Sequence, residues 1–349
     1  MLIKFKRFIK GILFEKRRIR ATNRNKNLKS IEQQRLILMM TPEYGNLGDQ
    51  AIAKASINFL EKLNMPIIEV TQKDLIYDFT NILKHIKNDD IILISGGGYF
   101  GSLWKDDGEY IVRKIITKCQ NNKIIILPMT MYFENNDLGK KELVQTKKIY
   151  SQHKNLSICC REKNTYNLII KEKIYKDDSV FLVPDIVFTL DYQIMTKKNN
   201  IILFCCREDK EKKIDIDFAD IKKSLIKKGF IITNTTTRLN QEILVNERDM
   251  LLKEKLDEFY NARLVITDRL HGMIFSYITN TPCIVMDNTS NKVSGVYEWI
   301  EKENSVFFAK DENDIRSNIE SLLKISKLDE REKFHSYFDI IIDLIKEER

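Results

Sequence analysis

Short apolar runs recur along the chain, each closed by glycine, proline or a polar cluster. They cover residues 35–41, 66–71, 91–95, 123–127, 155–160 and 180–183, and then 201–206, 230–233, 264–266, 283–286 and 306–308. Most positions in them are apolar rather than every second one, so they read as strands buried on both faces. Longer segments with helical spacing separate them, at 51–63, near 109–119, and at 164–171, 214–228, 248–262, 273–279 and 296–302. Strands alternating with helices at this spacing predict α/β architecture with a parallel sheet covered on both sides. A polar stretch, 191–200 (DYQIMTKKNN), interrupts the series and reads as a linker. The expected molecule has two doubly wound, Rossmann-like domains, residues 31–192 and 200–310, facing each other across a cleft. A basic arm, 1–30, precedes them, and residues 311–349 follow as two helices, 311–326 and 329–348.

The polar residues at the ends of these runs are the candidates for chemistry, because a parallel sheet presents ligands at its carboxyl edge. Residues 264–288 (LVITDRLHGMIFSYITNTPCIVMDN) form a strand–loop–helix–strand unit whose loop holds Asp268, Arg269, His271 and Gly272. An Arg and a His beside a helix start can hold an anion and move a proton. A purely structural reading is equally open: Asp268 caps the helix, Arg269 pairs with a surface acid, and His271 is a satisfied interior group. Arg207 ends the run at 201–206, and Lys292 lies in a predicted loop at 288–295. In the first half, Gly45 and Gly48 allow a tight turn, with Asp49 at the predicted N-cap of the next helix. The loop lacks the Gly-Lys-Ser/Thr ending of a Walker motif and does not match G-x-G-x-x-G. The run Gly96-Gly97-Gly98-Tyr99-Phe100-Gly101 reads either as a tight turn or as a ligand-lining loop, in which Tyr99 and Trp104 would offer a sugar a flat face. Arg161 and Glu162 follow the fifth run.

Composition narrows the classes. With 43% hydrophobic and 31% charged residues among 349, the chain belongs with globular proteins. No apolar run approaches the ~20 residues that span a bilayer. Residues 1–13 alternate Lys and Arg with apolar residues and lack the continuous core of a signal peptide, so a cytoplasmic protein is expected. Cys159-Cys160 and Cys205-Cys206 have neither C-x-x-C spacing nor a common strand face, and read as small strand hydrophobes. No metal is expected. His85, His153 and His335 read as surface residues. The net charge of +8 is uneven: residues 1–29 hold eleven Lys or Arg against one Glu. Such an arm suits an anionic membrane surface or another polyanion, or else a solvated leader. Nothing indicates a nucleic-acid module.

Seven stretches together resemble the polysaccharide pyruvyl transferase family. They are residues 44–52 (YGNLGDQAI), 94–101 (ISGGGYFG), 161–165 (REKNT), 184–190 (PDIVFTL), 201–207 (IILFCCR), 268–272 (DRLHG) and 291–297 (NKVSGVY). The resemblance runs from about residue 35 to 308. It implies a GT-B-like fold and transfer of a carboxyethylidene group from phosphoenolpyruvate to two hydroxyls of one sugar. Phosphoenolpyruvate would be a co-substrate, with no further cofactor. His271 would be the general acid. Arg207, Arg269 and Lys292 would hold the donor, and Asp268 would orient Arg269 or cap the helix. Asn46, Gly96, Gly97, Gly98 and Tyr99 would line the acceptor side, with Asp49 as base or as helix cap. The acceptor would be a sugar; if the basic arm, which lies outside the resemblance, meets a membrane, its charge suggests a lipid-linked oligosaccharide of capsule, exopolysaccharide or wall polymer. Two other readings compete: a GT-B glycosyltransferase using a nucleotide sugar, and a non-catalytic sugar-binding or scaffold subunit.

Overall fold

A computed structural model describes residues 15–19, 21–22, 25, 28, 30–192, 199–207, 212–213, 216–325 and 334–347. Most of the predicted arm and linker, the start of the helix expected at 214–228, and residues 329–333 and 348 of the last predicted helix lie outside the described residues. In the first half, strands β1 (Leu36–Thr41), β3 (Ile67–Thr71), β4 (Ile91–Ile94), β6 (Lys123–Tyr132), β7 (Leu156–Cys160) and β8 (Val180–Leu182) form a parallel sheet in the order β3-β1-β4-β6-β7-β8. In the second half, β9 (Ile201–Cys205), β10 (Ile231–Asn234), β12 (Leu264–Thr267), β13 (Cys283–Val285) and β14 (Val306–Phe308) form another, in the order β10-β9-β12-β13-β14. The architecture is α/β with two Rossmann-like sheets, GT-B-like as expected.

Alternate residues of these strands serve different cores. Leu36, Leu38 and Leu93 pack toward the second half, whereas Ile37, Met39 and Ile92 pack away from it. In β9, Leu203 and Cys205 join the same central cluster, and Ile202 and Phe204 join an outer one. The period-two geometry of a strand therefore divides each apolar run between a shared interior and an outer helical layer. Helices α1 (Leu47–Glu61), α7 (Arg248–Asn261) and α8 (Leu270–Ile278) supply much of that interior. The sequence pattern missed two helices, α2 (Gln72–Leu83) and α4 (Asp137–Tyr150). Side chains cap both: Thr71 and Asp74 form a capping box on α2, and Asn136 caps α4.

Several expected boundaries move. The glycine run is not a loop from Gly97 on, because Gly97–Gly101 is strand β5 and pairs with β6. Strand β6 does not stop at Leu127. It passes Pro128 with a register shift, pairing with β4 before it and with β5 after it. Gly96 sits at that break, where a Cβ would stand 2.1 Å from the Pro128 carbonyl oxygen. Helix α8 begins at Leu270, so His271 and Gly272 lie in its first turn rather than in the loop. Lys292 opens helix α9 (Lys292–Tyr297) instead of lying in a loop. His153 is buried, bonded through Nε2 to the Cys119 carbonyl, and not on the surface. The remaining helices are α3 (Tyr110–Lys118), α5 (Lys163–Glu172), α6 (Ala219–Lys227), α10 (Glu312–Leu323) and α11 (Asp339–Lys346).

A short antiparallel ribbon joins the halves. Strand β2 (Tyr44–Asn46) pairs with β11 (Arg238–Glu242) from the second half. Arg248, at the start of α7, reaches into the first half, where it donates to Gln50 (2.8 Å) and pairs with Glu69 (2.5 Å). Helix α11 returns to the first sheet, where Lys123 Nζ donates to the carbonyls of Leu344 (2.7 Å) and Glu347 (2.8 Å).

Candidate active site

A cavity of about 560 Å³ opens between the carboxyl ends of the two sheets. Besides Lys73 and Arg238, four cations border it: Arg161, Arg207, Arg269 and Lys292. Each follows the end of a different strand, namely β7, β9, β12 and β13, because parallel strands all deliver their next residues to one edge. Arg161 is buried. Its Nε donates to Thr130 Oγ1 (2.8 Å) and its Nη1 pairs with Asp185 (2.8 Å). Arg161 and Lys292 converge over Gly98, where an added Cβ would lie 3.3 Å from the Arg161 Nη2 and 3.5 Å from the Lys292 Nζ. The backbone approaches both cations there because glycine has no side chain.

His271 stands among these cations, 8% exposed. Its Nε2 faces Asp185 Oδ2 at 3.8 Å, and Asp185 also holds Arg161. On the Nδ1 side the ring lies against the first turn of α1, where a Cβ on Gly48 would sit 2.1 Å from Nδ1. Burial pushes the imidazole pKa down to about 4; Arg161, Lys292 and Arg207 add to the fall, and Asp185 opposes it. An anion placed among the cations would cancel their effect and favour the protonated ring. His271 Nε2 and Arg269 Nε are both buried without a hydrogen-bond partner. Orphaned polar atoms that converge on one cavity are what a site built for a polar ligand leaves when its ligand is absent.

The other expected site residues divide. Asn46 and Asp49 border the cavity, but the cap is Asn46, whose Oδ1 accepts from Gly48 N (3.1 Å). Asp49 is therefore not the N-cap: it lies in the first turn of α1 and accepts from Asn46 Nδ2 (2.6 Å). Asp268 does not border the cavity, does not cap the helix, and holds the chain at Arg207 instead, accepting from its N–H (2.8 Å). Gly98, Tyr99 and Trp104 line one wall. Gly96 and Gly97 do not: Gly96 packs on β6, and Gly97, with φ +132°, turns the chain behind Tyr99. Among the described residues, no group of three His, Cys, Asp or Glu could hold a metal ion.

The sequence reading left out Arg161 and Asp185 as site residues, although both fall in stretches it singled out. Arg161 follows β7 as Arg207 follows β9, so the rule that selected one also selects the other. Glu109 was missed without any such signal. It is fully buried and accepts from Gly101 N (3.2 Å), Arg113 Nε (3.1 Å), Thr146 Oγ1 (2.8 Å) and Tyr150 OH (3.3 Å). It thus braces β5 and the π-helical turn Lys105–Glu109, which carry Tyr99 and Gly108 of the cavity wall.

Comparison with known proteins adds an independent line. Residues 46–291 match the family model of polysaccharide pyruvyl transferases. General stress protein 30 of Bacillus subtilis is 34% identical over 322 residues, which are 90% of this chain and 89% of that protein. Pyruvyl transferase 1 of Schizosaccharomyces pombe is 25% identical over 274 residues, 73% of this chain and 66% of that one. The structure of an uncharacterized protein from Klebsiella pneumoniae superposes with a TM-score of 0.56 at 20% identity, over 89% of this chain and 99% of that one.

Proposed function

The chain belongs to the polysaccharide pyruvyl transferase family, and on that footing we propose that it transfers a carboxyethylidene group from phosphoenolpyruvate to two hydroxyls of one sugar in a surface or extracellular polysaccharide precursor. The observation that carries this reading is one buried histidine under the influence of Arg161, Lys292 and Arg207, in a cavity at the meeting of the two halves that Arg269 also lines. A small donor with both a phosphate and a carboxylate needs such a set, since each buried anion requires partners. Arg207, Arg269 and Lys292 hold the donor, joined by Arg161, which Asp185 keeps in place. Donor charge restores the proton on His271, and the imidazolium protonates the enol methylene. The adjacent carbon becomes cationic and a sugar hydroxyl adds to it, giving up its proton to Asp49. The carbon–oxygen bond to phosphate breaks, phosphate leaves, and a second hydroxyl closes the ketal. Of the two hydroxyl protons, one balances the new methyl group and the other leaves with phosphate.

The acceptor side is Asn46, Asp49, Gly98, Tyr99 and Trp104. The basic segment supports an acceptor presented at an anionic, lipid-linked surface, because residues 1–29 hold eleven Lys or Arg and Arg17 contacts Tyr77 OH (2.5 Å) beside the cavity. Residues 1–14 lie outside the described residues. Among the described residues, no helix is long and apolar enough to cross a membrane. Deletion of residues 1–29 with unchanged membrane fractionation would remove the membrane part of the proposal.

The test is phosphate release from phosphoenolpyruvate with a panel of simple and lipid-linked glycosides. Sugar-dependent release is expected, falling about 10²–10⁴-fold in His271→Ala, the usual worth of a general acid. Equal release in both proteins would keep the donor and discard His271 as the acid. Absence of both release and thermal stabilisation by phosphoenolpyruvate would overturn the donor assignment.

A further inference from the structure

The cavity has a third wall. Strand β11 belongs to the half that carries three of the four cations, yet it crosses to pair with β2 and borders the cavity through Arg238, Leu239, Asn240 and Gln241. It is built to stay there. Gly45 lets its backbone come close, since a Cβ at Gly45 would lie 2.0 Å from the Leu239 carbonyl oxygen. Leu239 packs on the central core. Glu242 at the strand's end pairs with Lys73 (2.5 Å) and Arg17 (3.2 Å). The residues beside these anchors are different. Arg238, Asn240 and Gln241 are exposed, and among the described residues their side chains make no hydrogen bond or ion pair. Three polar side chains with unspent donors thus sit on an anchored backbone at the cavity that Tyr99 and Trp104 also line.

We propose that β11 reads the acceptor: Arg238, Asn240 and Gln241 hydrogen-bond the hydroxyls of the acceptor glycan while its ring lies against the Tyr99–Trp104 wall. The half that holds the donor thereby also sets acceptor selectivity. This rests on the pyruvyl transfer reading for the identity of the acceptor as a glycan. A wall of donors and acceptors matched to hydroxyls selects strongly, because a sugar lacking one of them leaves a site group unpaired. The antiparallel pairing decides which side chains do this, since Arg238 stands opposite Asn46 and brings the two walls into register.

The experiment measures binding without turnover. Affinities for a panel of hexose and N-acetylhexosamine glycosides of one to three sugars are compared between the parent, Arg238→Ala and the double variant Asn240→Ala/Gln241→Ala. Stabilisation by phosphoenolpyruvate is measured alongside. The expected result is a loss of about tenfold or more for the preferred glycoside, the worth of one to two hydrogen bonds, together with a changed order of preference. Stabilisation by phosphoenolpyruvate and the unliganded Tm stay as in the parent. Unchanged affinities and order overturn the proposal, as does a parent that binds none of the panel. Loss of phosphoenolpyruvate stabilisation in the variants overturns it too, by assigning β11 to the donor. Altered glycoside binding in a protein that phosphoenolpyruvate does not stabilise upholds β11 as the sugar reader and refutes the donor reading instead.

Discussion

At His271 the surroundings decide the charge. Burial and three neighbouring cations hold its pKa near 4, below the 6.5 of an ordinary imidazole. The unfolded chain therefore binds more protons at this residue between about pH 4 and 6.5. Its effect is that stability is complete above pH 6.5 and falls as the pH drops toward 4. Denaturation at a series of pH values should show that slope, and it should flatten in His271→Gln. Gly48 offers a sharper probe. A methyl group there would stand 2.1 Å from His271 Nδ1. Gly48→Ala should displace the ring and lower kcat by about 10²-fold, the usual cost of misplacing a reacting group by an ångström, and it should lower Tm as well, because the methyl overpacks a buried ring. A kcat equal to the parent's would show that the ring position is not critical.

At the element scale, two braces set the cavity walls. Glu109 ties the end of β5 to α3 and α4 from a fully buried position. Its pKa is raised by burial, against the pull of Arg113 and its hydrogen bonds. Glu109→Ala leaves Arg113 without one buried partner and should destabilise the protein by about 3–5 kcal/mol in chemical denaturation. Lys123 is the other brace. It donates to two carbonyls at the end of α11, so Lys123→Met should cost about 1.5–3 kcal/mol. The same variant should expose residues 339–347 to faster hydrogen exchange. Unchanged exchange there would show that apolar packing alone holds α11.

Across the whole molecule, one apolar cluster takes residues from both sheets and from α11, including Leu38, Leu127, Cys205, Phe275 and Ile345. Large apolar interfaces couple the units that share them. Calorimetry should therefore show one cooperative unfolding transition, and two resolved transitions would count against this view. A shared core also keeps the four cations at fixed mutual positions across the halves, since Arg161 comes from one and the other three from the other. Small-angle scattering with and without phosphoenolpyruvate should accordingly show no large change in radius of gyration.

The sequence by itself determined the α/β class, the alternation of strands and helices, and which cations follow strand ends. Local patterning carries these features, because an apolar run closed by a polar cluster has few other uses. It could not separate Asn46 from Asp49 as a cap: both are good capping residues, and the pairing of Tyr44–Asn46 with a strand some 190 residues away decides where the helix starts. Nor could it tell a glycine loop from strand β5, which pairs with the far end of β6. The partnership of Arg161 with Asp185 and His271, the buried place of Glu109 and the crossing of β11 all depend on contacts between distant segments. Such contacts form only when the chain buries its apolar surface, so the tertiary structure alone decided them.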